Sequence, residues 1–173
     1  MDKTNIVLIG MPGAGKSTIG VLLAKTMKKP FVDTDLLIQQ KYNRYLQDII
    51  DNEGIKKFIL KEEDVVLKMS VRNCVVATGG SVIYSNSAIE HLKKDGLLVY
   101  LQLRFDEIDS RIGNISSRGI VIAKDQTLID IYNERVPLYE KYAEVTINCS
   151  NKHIEDVVAE IKNTIEPILK SKK

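Results

Sequence analysis

Gly10-Met11-Pro12-Gly13-Ala14-Gly15-Lys16-Ser17 follows the apolar run Ile6-Val7-Leu8-Ile9 and opens an amphipathic stretch that continues to Met27. It matches G-x-x-x-x-G-K-[ST] position by position, in the strand, loop and helix setting that this motif requires. Glycines let successive backbone N–H groups turn inward around phosphate oxygens. The helix that follows offers its free N–H groups and the positive end of its dipole to the same anion. Gly13, Ala14 and Gly15 are therefore candidate phosphate ligands through the backbone. Lys16 brings a compact charge to the β- and γ-phosphates and is expected to stand exposed to them, outside the core. The Ser17 hydroxyl is a candidate Mg2+ ligand, and Thr18 can add a hydroxyl or N–H to the α- and β-phosphates. A glycine turn with an incidental lysine would not account for strand, loop and helix together.

Outward from this loop, short β-branched runs alternate with longer amphipathic stretches. The spacing predicts strands at Asn5–Ile9, 30–33, 73–78, 97–101 and 144–148. Helices are predicted at 16–28, 35–42, 46–51, 55–71, 87–94, 105–112, Leu128–Tyr142 and 153–169. In the last of these, Ile154, Val157, Val158, Ile161, Ile165 and Leu169 recur at helical spacing and define one buried face. Cys74-Val75-Val76-Ala77 is apolar throughout, as a strand buried on both faces must be. Alternating β and α with such strands predicts an α/β three-layer sandwich around a parallel sheet. With no internal repeat and no Pro/Gly/Ser linker, residues 1–173 are expected to form one domain. The stretch 113–126, which contains Arg118-Gly119, has neither period; a structureless segment of that length suggests a mobile lid over an active site.

Composition excludes several classes. The chain has 173 residues, with 25 Lys and Arg against 23 Asp and Glu. The small positive excess disappears without Lys170, Lys172 and Lys173, and a nucleic-acid binder would carry its basic charge on the folded body. With no Trp and three Phe, stacking platforms for single strands are poorly supplied. No apolar stretch approaches the ~20 residues of a membrane span, and the start is too short and wrongly flanked for a secretory signal. The expected location is the cytoplasm. Cys74 and Cys149 lie in apolar runs and read as buried thiols, not as a disulfide framework or zinc site.

The nucleotide motif leaves open what is done with the nucleotide. Asn151-Lys152-His153-Ile154 falls short of the guanine-reading N-K-x-D at its last residue, and Asp51-Asn52-Glu53-Gly54 has the D-x-x-G letters in a helical stretch rather than at a strand end. A small-molecule kinase fits better. Asp33-Thr34-Asp35 ends the second strand run, at the carboxyl end where α/β folds bind ligands. One aspartate can help hold Mg2+ while the other meets an acceptor hydroxyl; Asp35 as the N-cap of a helix beginning at Leu36 would explain one acid and not two. Ala77-Thr78-Gly79-Gly80-Ser81 follows the third strand run, where paired glycines allow close backbone approach to a ligand. Arg118 in the lid and Arg135 near Pro137 are candidates for phosphate charge and for an anionic acceptor.

Taken together, these residues resemble those of the shikimate kinase family. The matching pieces are residues 10–18, Phe31-Val32-Asp33-Thr34-Asp35, Phe58 with Glu62, Ala77-Thr78-Gly79-Gly80, Arg111 with Arg118, and Glu134-Arg135-Val136-Pro137-Leu138-Tyr139. They occur in the family's order between Ile6 and about Glu144. The resemblance implies a P-loop kinase fold of the nucleoside-monophosphate-kinase type, with a five-stranded parallel sheet and a mobile lid. It implies an ATP- and Mg2+-dependent transfer of the γ-phosphate to the 3-hydroxyl of shikimate, a step of aromatic amino acid biosynthesis, by a monomeric enzyme. Asp35, Gly79, Gly80 and Arg135 would then contact shikimate, Arg118 the phosphates and Arg111 the adenine region, with Ser17 and Asp33 at the metal. Lys16, Asp35 and Arg118 would carry catalysis. The chain departs from the family pattern at Ile59, where F-R-x-x-E has its arginine, at Ser81, where a third glycine is usual, and at Gly119-Ile120-Val121, where the lid motif is R-P-L-L. The family's C-terminal arginine has Lys152 as its nearest cation. The residues themselves leave open a kinase of another hydroxy acid or polyol, and a nucleotide-binding regulatory protein without turnover.

Overall fold

A computed structural model describes residues 3–113, 119–123 and 125–170. Five parallel strands, β1 (Asn5–Ile9), β2 (Phe31–Asp33), β3 (Val75–Ala77), β4 (Gly96–Gln102) and β5 (Val145–Asn148), form one sheet in the order β2-β3-β1-β4-β5. β1 lies at the centre, with Leu8 opposite Ala77 on one side and Val99 on the other. Every residue of β1 is buried, the condition of a parallel strand covered on both faces. Its polar residue, Asn5, is satisfied across the sheet: Nδ2 donates to the Val71 carbonyl and Oδ1 accepts from the Cys74 N–H. β5, at the edge, instead alternates buried and exposed.

The helices are α1 (Lys16–Met27), α2 (Thr34–Tyr42), α3 (Leu46–Glu53), α4 (Ile55–Lys68), α5 (Asn86–Asp95), α6 (Phe105–Gly113), α7 (Leu128–Tyr142) and α8 (Ile154–Lys170), with a 3-10 turn at Val82–Tyr84. α1 packs on α8, and α4 packs on both α2 and α5. The predicted strand and helix order is reproduced; of the differences in bounds, two are informative. α2 begins at Thr34 and is capped by Asp33, whose carboxylate accepts from the Asp35 N–H, so Asp35 lies in the first turn and is not the cap. α4 ends at Lys68, three residues earlier than its periodicity suggested, because Met69 turns to an extended conformation.

Two apolar clusters support the cavity. The larger surrounds the sheet. The smaller joins Ile38 of α2, Ile49 and Ile50 of α3, Phe58 and Val65 of α4, and Val121. Val121 therefore pins the described part of the predicted lid onto α2–α4, and Gly119 packs so closely on α3 that a Cβ there would lie 2.5 Å from the Leu46 Cβ. Both cysteines are buried and unpaired. No helix among the described residues is long and apolar enough to cross a membrane.

Candidate active site

The phosphate side is built by local backbone. Gly13 (φ 79°) and Gly15 (φ 90°) adopt conformations that side-chain-bearing residues rarely reach. Gly15 caps α1 without a side chain, and the first turn carries no acid. The unsatisfied N–H groups of that turn are thus left for an anion.

Lys16 is not the exposed side chain that the motif alone implied. It is 8% exposed, and Nζ donates to the carbonyls of Gly10 and Met11, each at 2.8 Å. Those inward carbonyls need a donor, and the lysine provides it. Burial lowers its pKa to about 8, opposed chiefly by the negative charge of Asp35.

Ser17 Oγ donates to Asp33 Oδ2 at 2.6 Å, while Asp33 Oδ1 caps α2. A hydroxyl and a carboxylate so joined suit a hard cation that takes its remaining ligands from phosphate and water. No cluster of three or more His, Cys, Asp or Glu occurs among the described residues, so a divalent ion here would rest on Ser17, Asp33 and the nucleotide. Thr18 lines the same cavity. Ala14 does not line it: its side chain is buried and its N–H donates to the Met11 carbonyl. Arg111 Nη1 donates to the Gly13 carbonyl at 3.2 Å, holding α6 against the loop. Arg118 lies outside the described residues.

The cavity holds about 710 Å3, the size of a small-molecule site. Its far wall is assembled from distant parts of the chain. The Gly79 N–H donates to Thr34 Oγ1 at 3.2 Å, and the Gly80 carbonyl accepts from the Tyr139 hydroxyl at 2.6 Å. Gly79 is required by close approach, since a Cβ there would lie 2.2 Å from Glu62 Oε1 and 2.9 Å from Asp35 Oδ1. Arg135 lines the cavity although only 1% exposed. Its Nε donates to the Tyr84 hydroxyl at 3.1 Å, its Nη2 donates to the Val121 carbonyl at 2.6 Å, and the Tyr84 ring lies 5.1 Å from its guanidinium carbon.

The wall also contains Thr34, Tyr84, Tyr139, Val121 and the buried Glu62, whose roles no motif in the sequence specifies. The spacing of Phe58 and Glu62, four apart on α4, places them on one inward face and is the one local signal. Ile59 is half-buried on α4 and is not among the cavity-lining residues.

A parallel sheet with a phosphate loop at its centre, facing a wall that carries Asp35 and Arg135, defines a P-loop phosphotransferase that acts on a hydroxyl group. A family model for shikimate kinase matches residues 12–166. The shikimate kinase of Caldanaerobacter subterraneus subsp. tengcongensis is 34% identical over 160 residues, 91% of this chain and 93% of the relative. The structure of shikimate kinase from Acinetobacter baumannii in complex with shikimate superposes with a TM-score of 0.87 at 31% identity, covering 94% of this chain and 93% of that one. Thymidylate kinase from Candida albicans, 14% identical with a TM-score of 0.67 over 96% of this chain and 92% of its own, shares the fold. The chain belongs to the shikimate kinase family.

Proposed function

We propose that the enzyme transfers the γ-phosphoryl group of ATP to the 3-hydroxyl of shikimate, releasing ADP and shikimate 3-phosphate. The observation that carries this is the opposition, across one 710 Å3 cavity, of the phosphate loop and the wall bearing Asp35, Gly79, Gly80 and Arg135. Phosphoryl transfer asks for positioning and charge stabilisation more than for covalent chemistry by a side chain, and the assigned roles follow. Gly13, Gly15 and the first turn of α1 hold the phosphates, with Thr18 beside them. Lys16 leaves the loop carbonyls to neutralise charge on the transferring group, and its lowered pKa reflects the burial that strengthens that interaction. Ser17 and Asp33 would hold Mg2+, which would supply a further positive charge at the phosphate oxygens. Asp35 orients the attacking hydroxyl and accepts its proton. Arg135 pairs with the acceptor carboxylate as its guanidinium trades the Val121 carbonyl for the ligand, and Gly79 and Gly80 line the same site.

Arg118, within a lid formed by residues 113–126, is assigned to the phosphates, and Arg111 on α6 to the adenine side. The proposal extends to one domain acting as a cytoplasmic monomer on small molecules, with no nucleic-acid or membrane partner. Purified protein with Mg-ATP and a panel of hydroxy acids and polyols, read by ADP release, tests it. Shikimate is expected to be the preferred acceptor, and Asp35→Asn to cost on the order of 10²-fold in kcat. Preference for another acceptor, or nucleotide binding without turnover, would overturn the assignment.

A further inference from the structure

Ile59 and Ser81, two of the departures from the family pattern, lead to the same side chain. Glu62 lies on α4 three residues after Ile59, where no cation accompanies it. Its Oε2 accepts from Ser81 Oγ at 2.7 Å, so the serine that replaces a glycine is its hydrogen-bond donor. Its Oε1 is buried with no hydrogen-bond partner among the described residues. That oxygen and Asp35 Oδ1 converge on Gly79, at 2.2 and 2.9 Å from where a Cβ would stand. Gly79 and Ser81 line the cavity, which puts Glu62 one layer behind the wall, 1% exposed.

A buried carboxylate that makes no direct ion pair among the described residues is costly. The charges acting on Glu62 are Asp35 from α2, Arg135 from α7 and Lys16 from α1. Tyr84 and Tyr139 stand against Arg135 and the Gly80 carbonyl. The remaining groups packed on α4 are engaged elsewhere: Lys41 and Tyr42 with Asp64, Glu53 with Lys61 and Arg44, Ser85 with Glu63, and His91 with the Met69 carbonyl. Burial first, then Asp35, push the Glu62 carboxyl up to about 8, against the pull of Ser81.

We propose that Glu62 is a positioning residue of the acceptor site: its neutral form, hydrogen-bonded to Ser81 behind residues 79–81, lets the wall accept an anionic substrate, and its carboxylate form repels one. The proposal rests on the assignment of a carboxylate acceptor held by Arg135. Bringing a second negative charge to the wall raises the cost of ionising Glu62 further, so acceptor binding and Glu62 protonation are coupled in both directions. In its neutral form Glu62 also leaves the charge of Arg135 to the acceptor.

The test measures KM for shikimate and for ATP from pH 6.5 to 9.5 in the parent, Glu62→Gln and Ser81→Ala proteins. A carboxylic acid of ordinary pKa is ionised throughout that range, so the acceptor contributes no titration of its own. In the parent, KM for shikimate is expected to rise about tenfold above pH 8, the change that a one-unit shift of Glu62 on binding produces. Glutamine keeps the Ser81 contact and cannot ionise, so the rise should vanish in Glu62→Gln, while any pH dependence of KM for ATP, which reports Lys16, persists. Ser81→Ala removes a donor that favours the carboxylate, so its inflection should move to higher pH; this variant decides if Glu62→Gln does not fold. A flat profile in the parent, the same rise in Glu62→Gln, or an unmoved inflection in Ser81→Ala would overturn the role of Glu62 while leaving shikimate as the acceptor. Absence of shikimate phosphorylation at every pH would overturn that acceptor assignment itself.

Discussion

The loop of residues 12–18 and the wall of residues 79–81 face each other across the cavity, yet they are made in opposite ways. The loop lines the cavity from one contiguous stretch, shaped by backbone angles at Gly13 and Gly15 and closed by hydrogen bonds from Lys16 to Gly10 and Met11. The wall draws Asp35 from α2, Glu62 from α4, Gly79 to Ser81 from the end of β3, and Arg135 from α7. Each of these depends on another: Gly79 on Thr34, Gly80 on Tyr139, Ser81 on Glu62, and Arg135 on Tyr84 and Val121. The shape of the phosphate cradle is thus set by its own residues, independently of the acceptor wall. In the wall a change at one residue alters the partner that it bonds, as the contact of Ser81 with Glu62 shows.

The largest expected effect falls on the loop. Lys16→Ala should lower kcat by about 10²- to 10³-fold, as removal of other charge-stabilising groups does, with circular dichroism still showing a folded chain. Turnover within a few-fold of the parent would remove the loop from the chemistry and with it the contrast drawn above.

Arg135→Lys tests the wall. Its guanidinium bonds two protein oxygens in a planar geometry that an ammonium cannot reproduce. KM for shikimate should rise about ten- to a hundredfold, with KM for ATP close to the parent's. Equal losses on both substrates would mean that loop and wall are not energetically separate.

Ile59→Arg sharpens the same comparison from the other direction. A guanidinium three residues before Glu62 on α4 can pair with it or with the acceptor. A charge-assisted contact of roughly 1.5–3 kcal/mol predicts a KM for shikimate about tenfold lower, with kcat much less affected because ground and transition states share the contact. A variant as heat-stable as the parent with no gain on shikimate would count against a carboxylate acceptor.

The smallest effect is on stability, and the two sides should oppose each other. Folded Glu62 keeps its proton up to about pH 8, above the ordinary glutamate range, so the unfolded chain releases a proton that the folded chain holds. Stability from this group is therefore fullest below the glutamate range and is lost as pH rises toward 8. Lys16, with its pKa lowered to about 8, has the reverse sign: above pH 8 the unfolded chain binds more protons, and stability rises toward the lysine range. Thermal scans should show Tm falling by several degrees between pH 5 and 8 and recovering above it, with the lower limb flattened in Glu62→Gln. A Tm that rises from pH 5 to 8 would contradict a buried carboxyl that keeps its proton.

The difference in construction also explains what could be read in advance. β1 and α7 keep their predicted bounds, and Gly13, Gly15, Lys16, Ser17 and Thr18 could be placed at once, because glycine spacing and apolar periodicity act over a few residues. Arg135 and Asp35 could be named as candidates, but nothing in their neighbourhoods announced that the arginine would be buried or that Asp33, not Asp35, would cap α2. The motif does not say which loop N–H groups are already bonded within the loop; the Ala14 N–H is one, donating to the Met11 carbonyl.

The amino-acid sequence alone determined the alternating β and α order, the phosphate loop and the family, since each is encoded in contiguous residues by local backbone chemistry. Only the tertiary structure decided that Lys16 would bond its own loop, that Val121 would join α2, α3 and α4 in a second cluster, and that Ser81 would be the donor to Glu62. Those outcomes depend on burial and on partners brought together from distant parts of the chain. A carboxyl's proton is set by the charges and water around it, and no spacing along the sequence records them.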